Sequence, residues 1–223
     1  MKTLIASLAI TTSASAGIVT FDNLPSTYRS STGNGEQLTN SVDGFTFTST
    51  TIVGVSQNNW YYYNAKNPHI TNNGSNAYAI GVRGTTAMYS GYYDNFSLSV
   101  PNATYNISRT DGSLWNFNQA VFTSVWAPGN IHLMGYRNGV QVLDITQGIS
   151  NTQQTMVGTG SYPGPINWID TLKITNTVAI TPLRHFVMDD MYYTLSVPAP
   201  SVLAMIGLAI CGLGNRRRKD SNV

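Results

Sequence analysis

Two adjacent carboxyl groups, Asp189 and Asp190, are the side chains of this chain best suited to chemistry. They lie in an aromatic-rich run, 185–195, which predicts a strand. Because successive residues of a strand point to opposite faces of a sheet, the pair is poorly arranged for joint acid–base catalysis. The carboxyl group that points inward needs a partner, such as a cation or backbone amides at a strand end.

A run of four aromatic residues, Trp60, Tyr61, Tyr62 and Tyr63, lies in a long polar segment, 57–74, that we interpret as a loop. Exposed aromatic rings with polar tips could stack on sugar rings, so these four residues are candidate glycan contacts. Self-association and ordinary packing are the alternatives, because tyrosine is abundant throughout the chain.

Motifs for catalysis are otherwise missing from the sequence. The three histidines, His69, His132 and His185, show no metal-binding spacing. There is no G-x-S-x-G nucleophile motif. Glu36 is the only glutamate, and nothing in the pattern positions the two carboxylates that a glycosidase needs. We therefore predict that the protein is not an enzyme, and keep a hydrolase as an alternative.

Short alternating apolar and polar segments, bounded by Gly, Asn, Asp and Pro, recur along the chain and predict strands. The predicted strands are 17–21, 44–48, 77–82, 96–100, 120–126, 131–136, 140–145, 168–175 and 185–195. Asn138-Gly139 lies between two of them and predicts a two-residue hairpin turn. The resulting fold class is all-β, an antiparallel β-sandwich of the jelly-roll-like kind.

Charge and cysteine content narrow the function of the body of the chain, residues 17–196. This region has the length of one domain and holds seven Lys or Arg and nine Asp or Glu residues, a net charge of −2. Without a basic patch, nucleic acid is not an expected partner. The sole cysteine is Cys211, so the body has no disulfide and relies on its core.

The N-terminus carries the features of a secretory signal peptide. Lys2 supplies a positive start, residues 4–10 are apolar, and Ala14-Ser15-Ala16 forms an A-x-A cleavage site. Cleavage is expected between Ala16 and Gly17. Residues 1–16 are therefore the predicted signal peptide, and residues 17–196 the exported domain.

The C-terminal segment, 197–223, predicts a single membrane helix. An apolar run over 202–214 is followed by a basic cluster, Arg216, Arg217, Arg218 and Lys219. Positive charge tends to stay on the cytoplasmic side, so the C-terminus is expected in the cytoplasm and the body outside. The run is shorter than a full span of roughly 20 residues, which favours a temporary anchor.

This tail resembles a PEP-CTERM sorting signal, the tag of exosortase substrates. Its Pro box corresponds to Val197, Pro198, Ala199, Pro200 and Ser201, with the apolar helix and basic cluster behind it. Ala199 departs from the family pattern, which has Glu there. The resemblance implies cleavage near the Pro box by an exosortase-like membrane protease or transpeptidase. It also implies delivery to the cell surface or to an extracellular matrix, with a link to exopolysaccharide and biofilm.

Segments of the body resemble exported PEP-CTERM β-domains and jelly-roll carbohydrate-binding-like domains. They are Ile107-Ser108-Arg109-Thr110-Asp111-Gly112 before Trp115-Asn116-Phe117, Gly135 to Gly139, and Phe186 to Tyr193, where Met188 and Met191 depart from the aliphatic pattern. In similar jelly rolls an Asp of the last strand meets the first strand, sometimes through a structural Ca²⁺. The implied ligand candidates are Asp22, Asn23, Asp43, Asp189 and Asp190. An exported surface protein is the leading prediction, and a Ca²⁺-stabilised glycan-binding module is the alternative.

Overall fold

The protein is described here from a computed structural model. The structure describes residues 14–24, 36–37, 41–50, 60–64, 83–84, 86–90, 104–125, 127–159, 167–178 and 185–196. Twelve strands are formed within these ranges, and no helix in them is long and apolar enough to cross a bilayer. The strands are β1 (Ala14–Val19), β2 (Glu36–Gln37), β3 (Phe45–Thr50), β4 (Trp60–Asn64), β5 (Thr86–Ser90), β6 (Thr104–Arg109), β7 (Trp115–Ser124), β8 (Gly129–Arg137), β9 (Val140–Ile149), β10 (Thr155–Gly158), β11 (Thr171–Val178) and β12 (Phe186–Ser196).

Two sheets make up the fold. The first has seven strands in the order β10-β7-β12-β5-β4-β2, with β1 also paired to β12. The second has five strands in the order β3-β6-β11-β8-β9. Neighbouring strands within the sheets run antiparallel, for example β8 with β9 and β12 with β7. The predicted all-β fold, an antiparallel β-sandwich, is confirmed.

Strict alternation gives the five-stranded sheet one buried and one open face. In β8, Ile131 and Leu133 are fully buried, whereas the residues between them are partly exposed. Leu172 and Ile174 continue the buried face in β11. Because side chains alternate across a strand, this pattern sends every second residue into the core and the others to solvent.

Aromatic residues fill the space between the sheets. Trp60 of β4 and Phe186 of β12 belong to the seven-stranded sheet, and their ring centroids lie 5.9 Å apart. Trp60 also meets Phe47 of β3 at 5.5 Å and Tyr105 of β6 at 5.1 Å, both edge-to-face. Such contacts stabilise beyond the area they bury, so Trp60 joins the two sheets in a domain that has no disulfide.

The predicted hairpin turn is confirmed. Arg137 and Val140 pair across β8 and β9, which leaves Asn138 and Gly139 as the two loop residues. Their φ angles are 51° and 78°, the positive values that a type I′ turn requires. Asn and Gly are the residues that adopt this conformation at least cost.

The predicted loop 57–74 contains a strand. Residues 60–64 form β4, which pairs with β5 and with the short strand β2 at residues 36–37. The polar residues around 60–63 suggested a loop, but a run of Trp and Tyr fits a pleated, half-buried surface. Two of the predicted strands, 77–82 and 96–100, lie outside the described residues.

Candidate functional site

The buried carboxylate of Asp189 binds backbone amides. Asp189 is fully buried, and its Oδ2 accepts a hydrogen bond from the backbone N–H of Arg83 at 2.7 Å. Its Oδ1 accepts one from the N–H of Asp190 at 2.8 Å. Close by, Oδ1 of Asp22, just beyond β1, accepts a bond from the N–H of Thr86 at 3.1 Å. Carboxylates following β1 and within β12 thus hold the backbone N–H groups of residues 83 and 86, at the start of β5.

A bulge brings Asp190 to the same place. The register of β12 against β7 shifts between Asp189 and Tyr192, and Asp190 has a φ of 46°. The regular pleat is broken there, so the two aspartates do not follow the opposite-face geometry of a regular strand. The carboxylate of Asp190 pairs with the guanidinium of Arg83 at 3.2 Å, while Asp189 holds the backbone of that residue.

Asp22, Asp189 and Asp190 form a carboxylate cluster, in which burial dominates the electrostatics of Asp189. Burial raises the pKa of Asp189 to about 7, and the negative charges of Asp190 and Asp22 act in the same direction. The hydrogen bonds from the Arg83 and Asp190 backbones oppose the rise because they favour the charged form. The cluster therefore contains a carboxyl group whose protonation changes near neutral pH.

The predicted calcium ligands are only partly brought together. Asp22, Asp189 and Asp190 converge on residues 83–86, but Asn23 is exposed in the turn after β1. Asp43 lies in the turn before β3, in the other sheet, where its carbonyl oxygen accepts a bond from Arg109 at 3.3 Å. In the described part of the chain no three Asp, Glu, His or Cys side chains are placed to hold a metal ion.

The coordination chemistry of the cluster also disagrees with calcium. Ca²⁺ takes six to eight oxygen ligands, most of them carboxylates and carbonyls. Here both oxygens of Asp189 face N–H donors, and Asp190 faces a guanidinium. The arrangement matches the alternative in which strand-end aspartates bind backbone amides, and the residues present do not fit a calcium ion.

The candidate glycan contacts on β4 are placed differently from the prediction. Trp60 is fully buried and Tyr62 is 7% exposed, because alternate residues of β4 face the core between the sheets. Neither side chain can stack on a sugar, so this part of the prediction is wrong. The side chains of Tyr61 and Tyr63 lie outside what the structure describes.

A connected polar network covers the open face of the five-stranded sheet. His132 Nε2 lies 2.8 Å from Asp144 Oδ1, and Gln141 Nε2 donates to Asp144 Oδ2 at 2.7 Å. The hydroxyl of Tyr136 donates to Gln141 Oε1 at 3.4 Å. Lys173 Nζ lies 4.3 Å from the centroid of the Tyr136 ring. We call these five side chains, from β8, β9 and β11, the sheet-face network.

The sequence pattern predicts neither this network nor the contacts of Arg83 with Asp189 and Asp190. The alternation in β8 and β9 does mark outward polar positions, but it does not say which strands become neighbours. Tyr136 lies opposite Gln141, and Lys173 opposite Met134, only through the register of three strands. Arg83 lies 107 residues from Asp190 in sequence, and no local pattern connects them.

The segment Arg109-Thr110-Asp111-Gly112 forms the turn after β6. Arg109 donates to Asp111 at 3.1 Å and lies 4.9 Å from the centroid of the Phe45 ring. Hydrogen bonds from Ser113, and then from Arg109, hold the pKa of Asp111 well below its usual range. Gly112, with a φ of 70°, completes the turn. These contacts are structural and join the turn after β6 to the turn before β3.

The predicted processing residues lie at the ends of the described chain. Ala16 and Gly17 belong to β1, and a Cβ at Gly17 would lie 2.5 Å from the phenol ring of Tyr193 in β12. The Pro box at 197–201 and the basic cluster at 216–219 lie outside the described residues, and so do residues 1–13.

Comparison with known proteins adds only weak likenesses. No family model and no curated protein match the chain. Among the solved structures that it resembles are three carbohydrate-binding modules. The family 32 module of C. perfringens NanJ, in complex with galactose, is 14% identical, with 67% of this chain and 93% of that chain covered and a TM-score of 0.36.

The other two modules are more distant in sequence. A family 29 carbohydrate-binding module is 6% identical, with 82% of this chain and 89% of that chain covered and a TM-score of 0.37. The C-terminal family 22 module of Clostridium thermocellum Xyn10B is 11% identical, with 76% and 98% covered and a TM-score of 0.34. At TM-scores this low the likenesses carry no argument about this chain.

Proposed function

We propose that the protein is an exported, non-catalytic surface protein whose jelly-roll-like sandwich binds carbohydrate. The observation that carries the binding proposal is the sheet-face network on the open face of the five-stranded sheet. It offers a tyrosine ring, a carboxylate, an amide, an imidazole and an ammonium group within one connected surface.

The chemistry of this face suits a hydroxyl-rich ligand. Vicinal sugar hydroxyls both donate and accept hydrogen bonds, and the network holds acceptors on Asp144 and donors on Lys173 and Gln141. The bonds already formed within it fix the side chains, which lowers the ordering cost of binding. The hydroxyl group of Thr175 in β11 and the amide group of Asn106 in β6 continue this face. An extended polysaccharide is therefore a better match than a single small sugar.

Binding is tested by electrophoresis of the full chain, in detergent, through native gels that contain a soluble neutral polysaccharide such as galactomannan or xylan. We expect retardation of the wild type. Tyr136→Ala should bind about tenfold more weakly, which corresponds to about 1.4 kcal/mol. Thr177→Ala, at an exposed position in the same sheet, is the matched control and should behave as wild type. Equal mobility with and without polysaccharide would refute the proposal.

We further propose that an exosortase-like membrane protein sorts the chain. The support is the sequence of the tail: the Pro box at 197–201, the apolar run and the basic cluster. The membrane helix anchors the exported body transiently, and cleavage near the Pro box transfers it to the surface or to an exopolysaccharide matrix. Expression with and without a partner exosortase, followed by blotting of the membrane fraction, tests this route. An uncut, membrane-bound product in both cells would contradict it.

A further inference from the structure

The carboxylate cluster faces a cation that belongs to the chain itself. Arg83 contributes its backbone N–H to Asp189 and its guanidinium to Asp190. The guanidinium is fixed at a second point, because its Nε donates to Gln154 Oε1 at 3.1 Å. Two contacts in different directions orient the charge toward the bulge of β12.

Close packing brings the backbone after Arg83 against Asp22. A Cβ at Gly84 would overlap both carboxylate oxygens of Asp22, so a glycine at this position lets the carboxylate approach the chain. Asp22 then reaches the N–H of Thr86. Residues 83, 84 and 86 therefore lie between the end of β1 and the bulge of β12, and the groups of Arg83 and Thr86 bind the carboxylates of both.

A metal would have to compete with these contacts. Fold resemblance implies that calcium joins an aspartate of the last strand to the first strand. In this chain the same junction is made by N–H donors and one guanidinium, and the donor set does not fit Ca²⁺. The guanidinium of Arg83 supplies a permanent positive charge and directed hydrogen bonding at Asp190, and backbone N–H groups hold Asp189 and Asp22.

We propose that this sandwich joins its first and last strands without a structural metal ion, through the N–H groups of Arg83 and Thr86 and the ion pair of Arg83 with Asp190. The junction is independent of glycan binding and of sorting. Removing the guanidinium takes the ion pair from Asp190, while both oxygens of Asp189 and one oxygen of Asp22 keep their backbone N–H donors.

Thermal unfolding of the full chain in detergent, followed by tryptophan fluorescence, tests the proposal. Trp60 and Trp115 are fully buried and report loss of the core. The wild type should have the same melting temperature in calcium and in EDTA. Arg83→Gln should melt about 2–4 °C lower in EDTA, as expected for a modest loss in a domain of this size. Calcium should not restore that loss, because Asp189 and Asp22 keep their N–H donors.

Two further variants make the outcome decisive. Arg83→Lys keeps a positive charge, so it should show less destabilisation and no response to calcium. Arg137→Gln, at the exposed end of β8, is the matched control for loss of an arginine and should match the wild type in both conditions. A wild type stabilised by calcium would overturn the proposal. So would an Arg83→Gln variant that melts like the wild type, or one whose loss calcium reverses.

Discussion

Replacing Asp189 by asparagine should remove a specific pH dependence of stability. The side chain is fully buried on β12 between two backbone N–H donors, and burial raises its pKa from 3.8 to about 7. A raised pKa means that the folded protein binds this proton more tightly than the unfolded chain does. The stabilisation from Asp189 is therefore complete below about pH 4 and is lost as the pH rises toward 7.

The size of the effect follows from the two pKa values. One pKa unit corresponds to about 1.4 kcal/mol, so the interval between 3.8 and about 7 sets an upper limit of about 4 kcal/mol. We expect about 2 kcal/mol, because relaxation and water entry ease the ionised form in a real cluster. His185 titrates in the opposite sense: burial lowers its pKa, so the folded state loses stability as the pH falls through 6.5. A comparison of variant and wild type separates the two groups.

The assay is denaturant unfolding of the full chain at about pH 4.5 and about pH 7.5, for the wild type and for Asp189→Asn. The free energy of unfolding of the variant should lack the contribution of Asp189 to the difference between the two pH values. Asparagine also places an amide N–H₂ opposite a backbone N–H, so the variant should be less stable at both pH values by about 1–3 kcal/mol. Identical pH dependence in the two proteins would refute the reasoning about burial.

Three substitutions test the packing of the sandwich. Gly158→Ala should destabilise by about 2 kcal/mol or more in denaturant unfolding, because its Cβ would overlap the backbone oxygen of Asn118. Gly148→Ala should change little, because its Cβ would meet only Asn130 Oδ1, at an ordinary contact distance of 3.7 Å. Gly139→Ala should lower the free energy of unfolding by about 1–2 kcal/mol, because the turn needs a φ of 78° there. A variant as stable as the wild type would argue against the type I′ turn. Trp60→Phe should lose about 1–3 kcal/mol, since it removes the indole N–H bond of 2.9 Å to a carbonyl of the other sheet.

The regular parts of the fold could be predicted because local rules decide them. The alternation in 131–136 and 140–145 and the positive φ demanded by Asn138-Gly139 define a hairpin before any long-range contact is known. The β4 strand was missed because its polar flanks suggested a loop. An aromatic run can cover a surface or fill a core, and only the layer above it, here Phe47 and Tyr105, decides which.

The candidate sites depend on features that alternation cannot predict. A regular pleat would separate Asp189 from Asp190, yet one bulge turns both toward Arg83. The bulge interrupts the two-residue alternation of side chains along the strand. The alternation therefore predicts the strand but not the approach of both aspartates to Arg83.

The glycan site that we propose lies on the five-stranded sheet, whereas the aromatic run at 60–63 lies in the seven-stranded sheet. Trp60 and Tyr62, which belong to the most prominent aromatic run of the sequence, are buried in the core. Tyr136 and the polar residues of the sheet-face network line the open face, and none of them stands out individually in the sequence. They become a surface only because antiparallel register places Gln141 and Lys173 beside that ring. A binding function for this chain therefore depends on strand order, and substitutions at Tyr136 test it more directly than substitutions in the aromatic run.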